Sequence, residues 1–274
     1  MPFRDPQPDQ IALKLSAIAI EAGLLLREME HATKDHRVKA DGTPTTDADL
    51  AAEKLIIERL RDAYPGVPII AEETANAAAP AEHFFLVDPL DGTGDYLRST
   101  GEYSVNIALV NGDRPIAGVV AAPAIKRIWM AGDSASEGDL PGNPADEIVW
   151  RPLQTRPAVD GELVALVSRR HGDAKTDALL DQLSIGTRRA ASSAVKFCLI
   201  AAGEADVYVR CGPTMEWDTA AGDHILTRAG GRVIAAGGGP LTYGHEGRGF
   251  RNGAFAAVGD ASLAERLSLP VASH

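Results

Sequence analysis

Cysteine is nearly missing from this chain: among 274 residues there are two, Cys198 and Cys211. Two such residues cannot build a disulfide framework, and they are too isolated for a thiolate metal site, which fits a reducing compartment. Cys198, inside VKFCLIAAG, reads as a small core residue. Basic residues are also in deficit. Against 38 Asp and Glu stand 27 Lys and Arg, a formal net charge of −11, which argues against a broad surface for a nucleic acid polymer or an anionic membrane. An anionic ligand therefore needs a local source of positive charge. Long apolar runs are absent as well: IAGVVAAPAI falls well short of the ~18 residues of a membrane span, and the opening MPFRDPQPDQ has no apolar core of a signal peptide. There is no internal repeat, and GGGP at 237–240 lacks the Lys-Ser/Thr of a phosphate-binding P-loop. The expectation is a soluble, cytoplasmic protein with no integral membrane segment. Its 45% hydrophobic content supports one large domain or two closely packed ones.

What is present alternates in character along the chain. Residues 11–30 carry apolar side chains at helical spacing. Gly42 and Pro44 then mark a loop, Thr46 is a candidate N-cap, Asp47 and Asp49 suit the positive end of a helix dipole, and Tyr64-Pro65-Gly66 ends that helix. Two short strands, 67–73 and 83–88, each finish in acid. YSVNIALV, PIAGVVAAP and KRIWMAG follow without intervening helices, predicting an antiparallel meander. The polar stretch 132–147 reads as a loop or insertion, and the acidic, proline-rich character continuing to 160 as a surface connection. From ELVALV onward helices and strands alternate, which makes the class α/β (α+β) rather than a simple doubly wound sheet.

The acids at strand ends carry the chemistry. Asp88 closes the apolar run FFLV, so its neighbours are buried and its charge is held near the core. Pro89 stiffens the turn, and Gly92-Thr93 follow Asp91 at the start of a helix with backbone N–H groups to offer. Carboxylates aimed at one point suit hard divalent cations such as Mg²⁺, which take oxygen ligands and leave positions for phosphate oxygens. Metal in such a pocket inverts the local field, so an acidic protein can attract an anion there. His171 and His224 lack metal-ligand spacing and are read as surface residues or as residues behind the ligands.

AEE at 71–73, DPLDGT at 88–93 and WDTAAG at 217–222 resemble, in order and separation, the three motifs of the inositol monophosphatase-like superfamily of metal-dependent phosphatases. The resemblance implies a layered αβαβα sugar-phosphatase-like fold with mixed, largely antiparallel sheets. It implies an N-terminal subdomain, 1–160, with most metal ligands, and a C-terminal subdomain, 161–274, with Asp218 and the recognition residues. It further implies that Asp88 bridges two Mg²⁺ ions, the first completed by Glu72 and the carbonyl of Leu90, the second by Asp91 and Asp218. Asp47 would help with a third, looser Mg²⁺. Glu72 and Thr93 would orient the attacking water, and the N–H groups of Gly92 and Thr93 would hold the phosphate. Glu73 is left with a structural salt bridge.

GEYSVNIALVNGDRPIAGVVAAP, SSAVKF at 192–197 and VYVRCGPTMEWDTAAG at 207–222 are similar to one group within that superfamily, the CysQ-type 3′(2′),5′-bisphosphate nucleotidases. That similarity implies hydrolysis of 3′-phosphoadenosine 5′-phosphate to AMP and phosphate by metal-activated water. Ser192, Ser193, Lys196 and Arg210 would then supply donors for the nucleotide, with Asp218 beside them. The chain departs from the group in having Gly94-Asp95-Tyr96 for a usual Lys-Glu-Phe, and Ala191-Ser192-Ser193 for Gly-Ser-Ser. The rival readings are an inositol-1-phosphate or fructose-1,6-bisphosphate phosphatase of the same superfamily, and a non-catalytic metal- or nucleotide-binding regulator.

Overall fold

The structure is a computed structural model, and it describes residues 7–30, 36–39, 42–77, 79–168, 173–191 and 194–270. Helix α1 (Pro8–Met29) buries Ile11, Leu15, Ile18, Ala22 and Leu26 along one face, the stripe that their three- and four-residue spacing predicts. A small hairpin, β1 (His36–Val38) and β2 (Pro44–Thr46), leads into α2 (Asp47–Ala63). Thr46 caps α2 as expected. Its hydroxyl accepts from the N–H groups of Ala48 and Asp49 while donating to Asp49 Oδ2 at 2.5 Å, and the Thr46 N–H donates to the same oxygen at 2.8 Å. This is a capping box with aspartate in the place of glutamate.

Next come β3 (Ile69–Ala71), β4 (His83–Asp91), the short helix α3 (Thr93–Leu97), β5 (Ser104–Asn111), β6 (Arg114–Ala122) and β7 (Arg127–Ala131). The sheet then continues through β8 (Ala135–Asp139) and β9 (Arg151–Pro152). These last two strands correct the reading of 132–160 as loop and surface connection. Ser136-Glu137-Gly138-Asp139 has little apolar content to signal a strand, yet β8 pairs along the whole of β7, and the ladder hydrogen bonds need no hydrophobic side chains. The seven strands lie in chain order from β3 to β9, with β3 parallel to β4 and all later neighbours antiparallel.

The remainder runs β10 (Leu163–Val167), α4 (Ala174–Leu180), β11 (Ile185–Ala190), α5 (Val195–Ala201), β12 (Val207–Arg210), β13 (Thr214–Met215), α6 (Ala220–Arg228), β14 (Arg232–Ala235), β15 (Arg251–Asn252), β16 (Phe255–Val258) and α7 (Ala261–Ala264). Five of these strands form a second sheet in the order β11-β10-β12-β16-β14, parallel across β11, β10 and β12 and antiparallel beyond. Strands β13 and β15 pair separately.

Alternation along the strands sets the layers. Phe85 and Val87 of β4, with Ile107 and Leu109 of β5, pack under α1 and α2. Their neighbours Phe84, Leu86, Ala108 and Val110 face the other way, onto Phe197 of α5 and Ile225 and Leu226 of α6. The same helices rest on Leu166, Tyr208, Phe255 and Ala257 of the second sheet, whose opposite face, with Leu163, Val207 and Val258, is closed by Leu179 of α4 and Leu263 of α7. The order is thus helix, sheet, helix, sheet, helix. Among the described residues no helix is long and apolar enough to cross a membrane. Cys198 lies fully buried in the middle helical layer, its thiol pushed up by desolvation, as its apolar sequence context implies.

Candidate active site

The site grows out of an irregularity in β4. Asp88 pairs with Asn106 and Asp91 with Ser104, so three steps on β4 face two on β5. Side chains three apart in a regular strand point to opposite faces; the extra residue turns Asp91 to the side that Asp88 occupies. Pro89, which has no N–H to give to a ladder, sits inside this bulge. The chain then turns through Gly92 at φ +97°, a left-handed conformation that glycine adopts without strain, and enters α3 with Thr93. Parallel pairing of Ala71 with Val87 places Glu72, the next residue after β3, alongside Asp88. From the other half of the chain, Asp218 arrives at the end of a short 3₁₀ turn just before α6, its Oδ2 accepting the Met215 N–H at 2.8 Å.

Four acids therefore meet. Burial raises the Asp88 pKa well above the usual carboxylate range, and the charges of Glu72, Asp91 and Asp218 push it further in the same direction. Asp218 is raised for the same reasons, burial first and the Asp91 charge next. Burial also raises Glu72, against the pull of the Lys39 ammonium. Asp91 is anchored at Oδ2 by the Ala194 N–H at 2.8 Å and by Asn106 Nδ2 at 3.3 Å.

The sequence reading gave Asp47 a part with a third, looser Mg²⁺, and the structure does not bring it to these acids. Asp47 points outward with its side chain 73% exposed, and its ion-pair neighbour is Arg37 at 3.9 Å. The inward acid of α2 is Asp49, two positions on and buried. Its Oδ1 accepts the Thr93 hydroxyl at 3.0 Å, and that hydroxyl also lies 3.2 Å from the carbonyl oxygen of Leu90. Burial raises the Asp49 pKa, while hydrogen bonds from Thr46 and Thr93 oppose the rise. The signal for Asp49 was in the sequence: an acid three residues after a candidate Thr cap belongs to the capping box and faces back toward the helix entrance.

Lys39 was also missed. From the hairpin it reaches Glu72 Oε1 at 2.8 Å and Glu73 Oε1 at 2.6 Å. Burial alone would lower its pKa, but the Glu72 and Glu73 carboxylates carry it upward. Glu73 thus makes the salt bridge left to it, and its N–H donates to Glu53 Oε2 at 2.8 Å.

Lys196 extends from α5 toward the acids. It is 4% exposed, its Nζ lies 4.7 Å from the centre of the Tyr208 ring, and it donates to Ala191 O at 3.3 Å. Burial drives its pKa down to about 8 although the Asp91 charge pulls upward, and the positive charge of Arg210 adds to the fall. Arg210, at the end of β12, donates to Ser168 Oγ at 3.4 Å and Pro213 O at 3.1 Å. Ser192, Ser193 and His171 lie outside the described residues. His224 is not on the surface: it is buried in α6 with Nε2 2.9 Å from Gly132 O, and desolvation lowers its pKa to about 4. In the Gly94-Asp95-Tyr96 segment, Asp95 accepts from Thr100 Oγ1 at 3.0 Å and Tyr96 donates to Leu26 O at 2.8 Å. The acid and the aromatic therefore fasten α3 in place.

Glu72, Asp88, Asp91 and Asp218, with the Leu90 carbonyl, could offer oxygen ligands only, the chemistry preferred by hard divalent cations. Mutual repulsion among the buried acids is relieved by a cation between them. Among the described residues no three His, Cys, Asp or Glu side chains are drawn tightly enough to enclose a metal by themselves.

Residues 7–267 match the inositol monophosphatase family. The chain belongs to that family. Members of the inositol monophosphatase family are metal-dependent phosphatases. Among relatives, the chain is 38% identical over 231 residues to "3′(2′),5′-bisphosphate nucleotidase CysQ" of Escherichia coli K12, covering 82% of this chain and 91% of that protein. The CysQ structure from Bacteroides thetaiotaomicron superposes with a TM-score of 0.77 at 31% identity, over 92% of this chain and 98% of that one. A Thermotoga maritima inositol monophosphatase has nearly the same fold, with a TM-score of 0.76, at 19% identity over 94% and 96% of the two chains.

Proposed function

We propose that the protein is a 3′(2′),5′-bisphosphate nucleotidase that hydrolyses 3′-phosphoadenosine 5′-phosphate to AMP and phosphate. The observation that carries this reading is Lys196: a buried ammonium set beside the acids of the site, in a chain 38% identical to a bisphosphate nucleotidase. A bisphosphate needs positive charge away from the reacting phosphoryl group. Lys196 and Arg210 supply it, and Ser192 and Ser193 precede Lys196 in sequence. Glu216 speaks against a polyol substrate. Both of its carboxylate oxygens are taken by the 244–245 segment, with Gly244 N–H at 2.6 Å and His245 N–H at 3.0 Å, so they are not available to sugar hydroxyls.

Glu72, Asp88, Asp91, Asp218 and the Leu90 carbonyl are the residues that would hold divalent cations, two Mg²⁺ in this reading. Bound there, such cations supply Lewis acidity toward the phosphoryl oxygens and lower the pKa of water. The chain's own part is orientation. The Thr93 hydroxyl donates toward Asp49 at 3.0 Å and Leu90 O at 3.2 Å, which leaves its oxygen lone pairs to accept from the attacking water and orient it. Glu72 holds the other water proton. The N–H groups of Gly92 and Thr93 cradle the phosphate, and no side chain becomes phosphorylated. With these roles the boundary near residue 160 separates an N-terminal unit that presents the nucleophile from a C-terminal unit that selects the nucleotide.

The test is phosphate release from 3′-phosphoadenosine 5′-phosphate, inositol 1-phosphate and fructose 1,6-bisphosphate, each with Mg²⁺ and with EDTA. The expected result is a kcat/KM at least ~100-fold higher for the nucleotide, ~2.7 kcal/mol of discrimination, abolished by EDTA and largely erased in Lys196→Met. A higher kcat/KM for the polyol or sugar phosphate would refute the nucleotide assignment and leave the metal chemistry standing.

A further inference from the structure

The turn that carries Asp218 is fastened from one side by the segment 244–252. Glu216 is wholly buried, accepts from the Gly244 and His245 N–H groups and from His245 Nδ1 at 2.7 Å, and gives its own N–H to Phe250 O at 2.8 Å. From β15, Asn252 reaches back under the same turn. Its Nδ2 lies 2.8 Å from Met215 O, 3.0 Å from Thr219 Oγ1 and 3.2 Å from Thr214 Oγ1, so two amide hydrogens serve three acceptors. Two of these acceptors lead toward Asp218. Met215 gives its N–H to Asp218 Oδ2 at 2.8 Å, and Thr219, the next residue after Asp218, is buried and donates to Glu216 O at 3.2 Å.

Asp218 needs such support. It is buried among acids of the same sign, and with its backbone loosely held the carboxylate would relax away from Asp91. Cation ligands must be kept within about 0.5 Å of their working geometry. The partners that orient them are commonly worth about 10- to 100-fold in affinity.

We infer that Asn252 is a positioning residue, setting the aim of the Asp218 carboxylate toward a divalent cation through Met215 and Thr219. The inference rests on the reading of Asp218 as a cation ligand. Asn252 makes no contact with Asp218 itself in the hydrogen bonds described; it acts through the residues on either side.

The test is Mn²⁺ binding to the metal-free full chain, read from the electron paramagnetic resonance of free Mn²⁺, for wild type, Asn252→Ala, Thr219→Val, the double variant and Asp218→Asn. Asn252→Ala should raise by about 10-fold the Kd of the site that Asp218→Asn loses. Thr219→Val, which keeps the side-chain volume and so the packing, should act in the same direction. The double variant should be little worse than Asn252→Ala, because the two residues form one chain of hydrogen bonds. At saturating Mn²⁺ the KM for the nucleotide should stay within about twofold of wild type. Mn²⁺ affinity within twofold of wild type in both single variants overturns the inference, as does a KM change with Mn²⁺ binding intact. A wild-type protein that fails to bind Mn²⁺ overturns the ligand reading beneath it.

Discussion

Two aspartates two residues apart on α2 have opposite surroundings. Asp49 is buried, and its carboxylate is divided between the cap residue Thr46 and the Thr93 hydroxyl, one oxygen to each. Asp47 is exposed and loosely paired with Arg37. The second arrangement is a surface ion pair worth little; the first fixes the direction of a hydroxyl next to Asp88 and Asp91. Removing the Asp49 charge while keeping its shape should therefore disturb the chemical step more than binding. Asp49→Asn is expected to lower kcat by about 100-fold, the lower range for a group that guides proton transfer, with KM within about threefold. Asp47→Asn should change kcat by less than about threefold. Steady-state kinetics on the two purified variants decide the matter, and a larger loss in Asp47→Asn would overturn the role given to Asp49.

At the scale of elements, the site depends on how closely α6 approaches the first sheet. Gly118 on β6 lies under Ala221 of α6, and a Cβ built there would come within 3.0 Å of the Ala221 Cα and 3.1 Å of its carbonyl oxygen. The obstacle is helix backbone three residues beyond Asp218 and cannot swing aside as a side chain would. Gly118→Ala should cost about 1–3 kcal/mol by overpacking, seen as a Tm lower by several degrees, and it should raise the Mg²⁺ concentration for half-maximal activity because α6 carries Asp218 outward. Gly142→Ala, with nothing within 4 Å of the new Cβ, should leave both unchanged. An unaltered Tm in Gly118→Ala would mean that the helix yields freely.

The sequence was informative about elements in the same proportion as their side chains were patterned. The helical stripe of α1, the cap of α2 and the acids at the ends of β3 and β4 were all legible, because each depends on local residue chemistry. Strands β8 and β9 were not, since pairing through the backbone leaves no apolar signature. The inward turn of Asp49 and the reach of Lys39 depend on where a helix and a hairpin dock. Spacing indicates which acids share a segment, and only the bulge at 88–91 and the parallel register of β3 show which of them share a point. Glu216 and Asn252 were illegible for the same reason, since their partners lie up to 38 residues away in the chain.

For the molecule as a whole, a few of the 38 acids sit where charge is least comfortable. Asp88 and Asp218 have folded-state pKa values raised above those of the unfolded chain. Stability linked to such groups is fully present below the ordinary carboxylate pKa and is lost as pH rises through the raised values. Above those raised values the metal-free protein therefore carries a destabilising cluster that a divalent cation relieves, adding about 2.7 kcal/mol when its concentration is 100 times Kd. His224 works the other way. Its pKa of about 4 lies below the unfolded value near 6.5, so its contribution weakens stability as pH falls through that interval, by ~1.4 kcal/mol per unit. A raw pH profile mixes the two, and a comparison with Asp88→Asn separates them. In EDTA at pH 8, Asp88→Asn should melt higher than wild type, because an amide removes one buried charge from the cluster, and it should lose the Mg²⁺-dependent gain in Tm. The difference in EDTA should shrink as the pH is lowered and the wild-type acid takes up a proton, while the His224 contribution cancels between the two proteins. Thermal melts at pH 8, 7 and 6 with and without Mg²⁺ test this; an Asp88→Asn protein that melts lower than wild type in EDTA would show that hydrogen bonding by the carboxylate, here to the Leu90 N–H at 3.0 Å, outweighs its repulsion by the other acids.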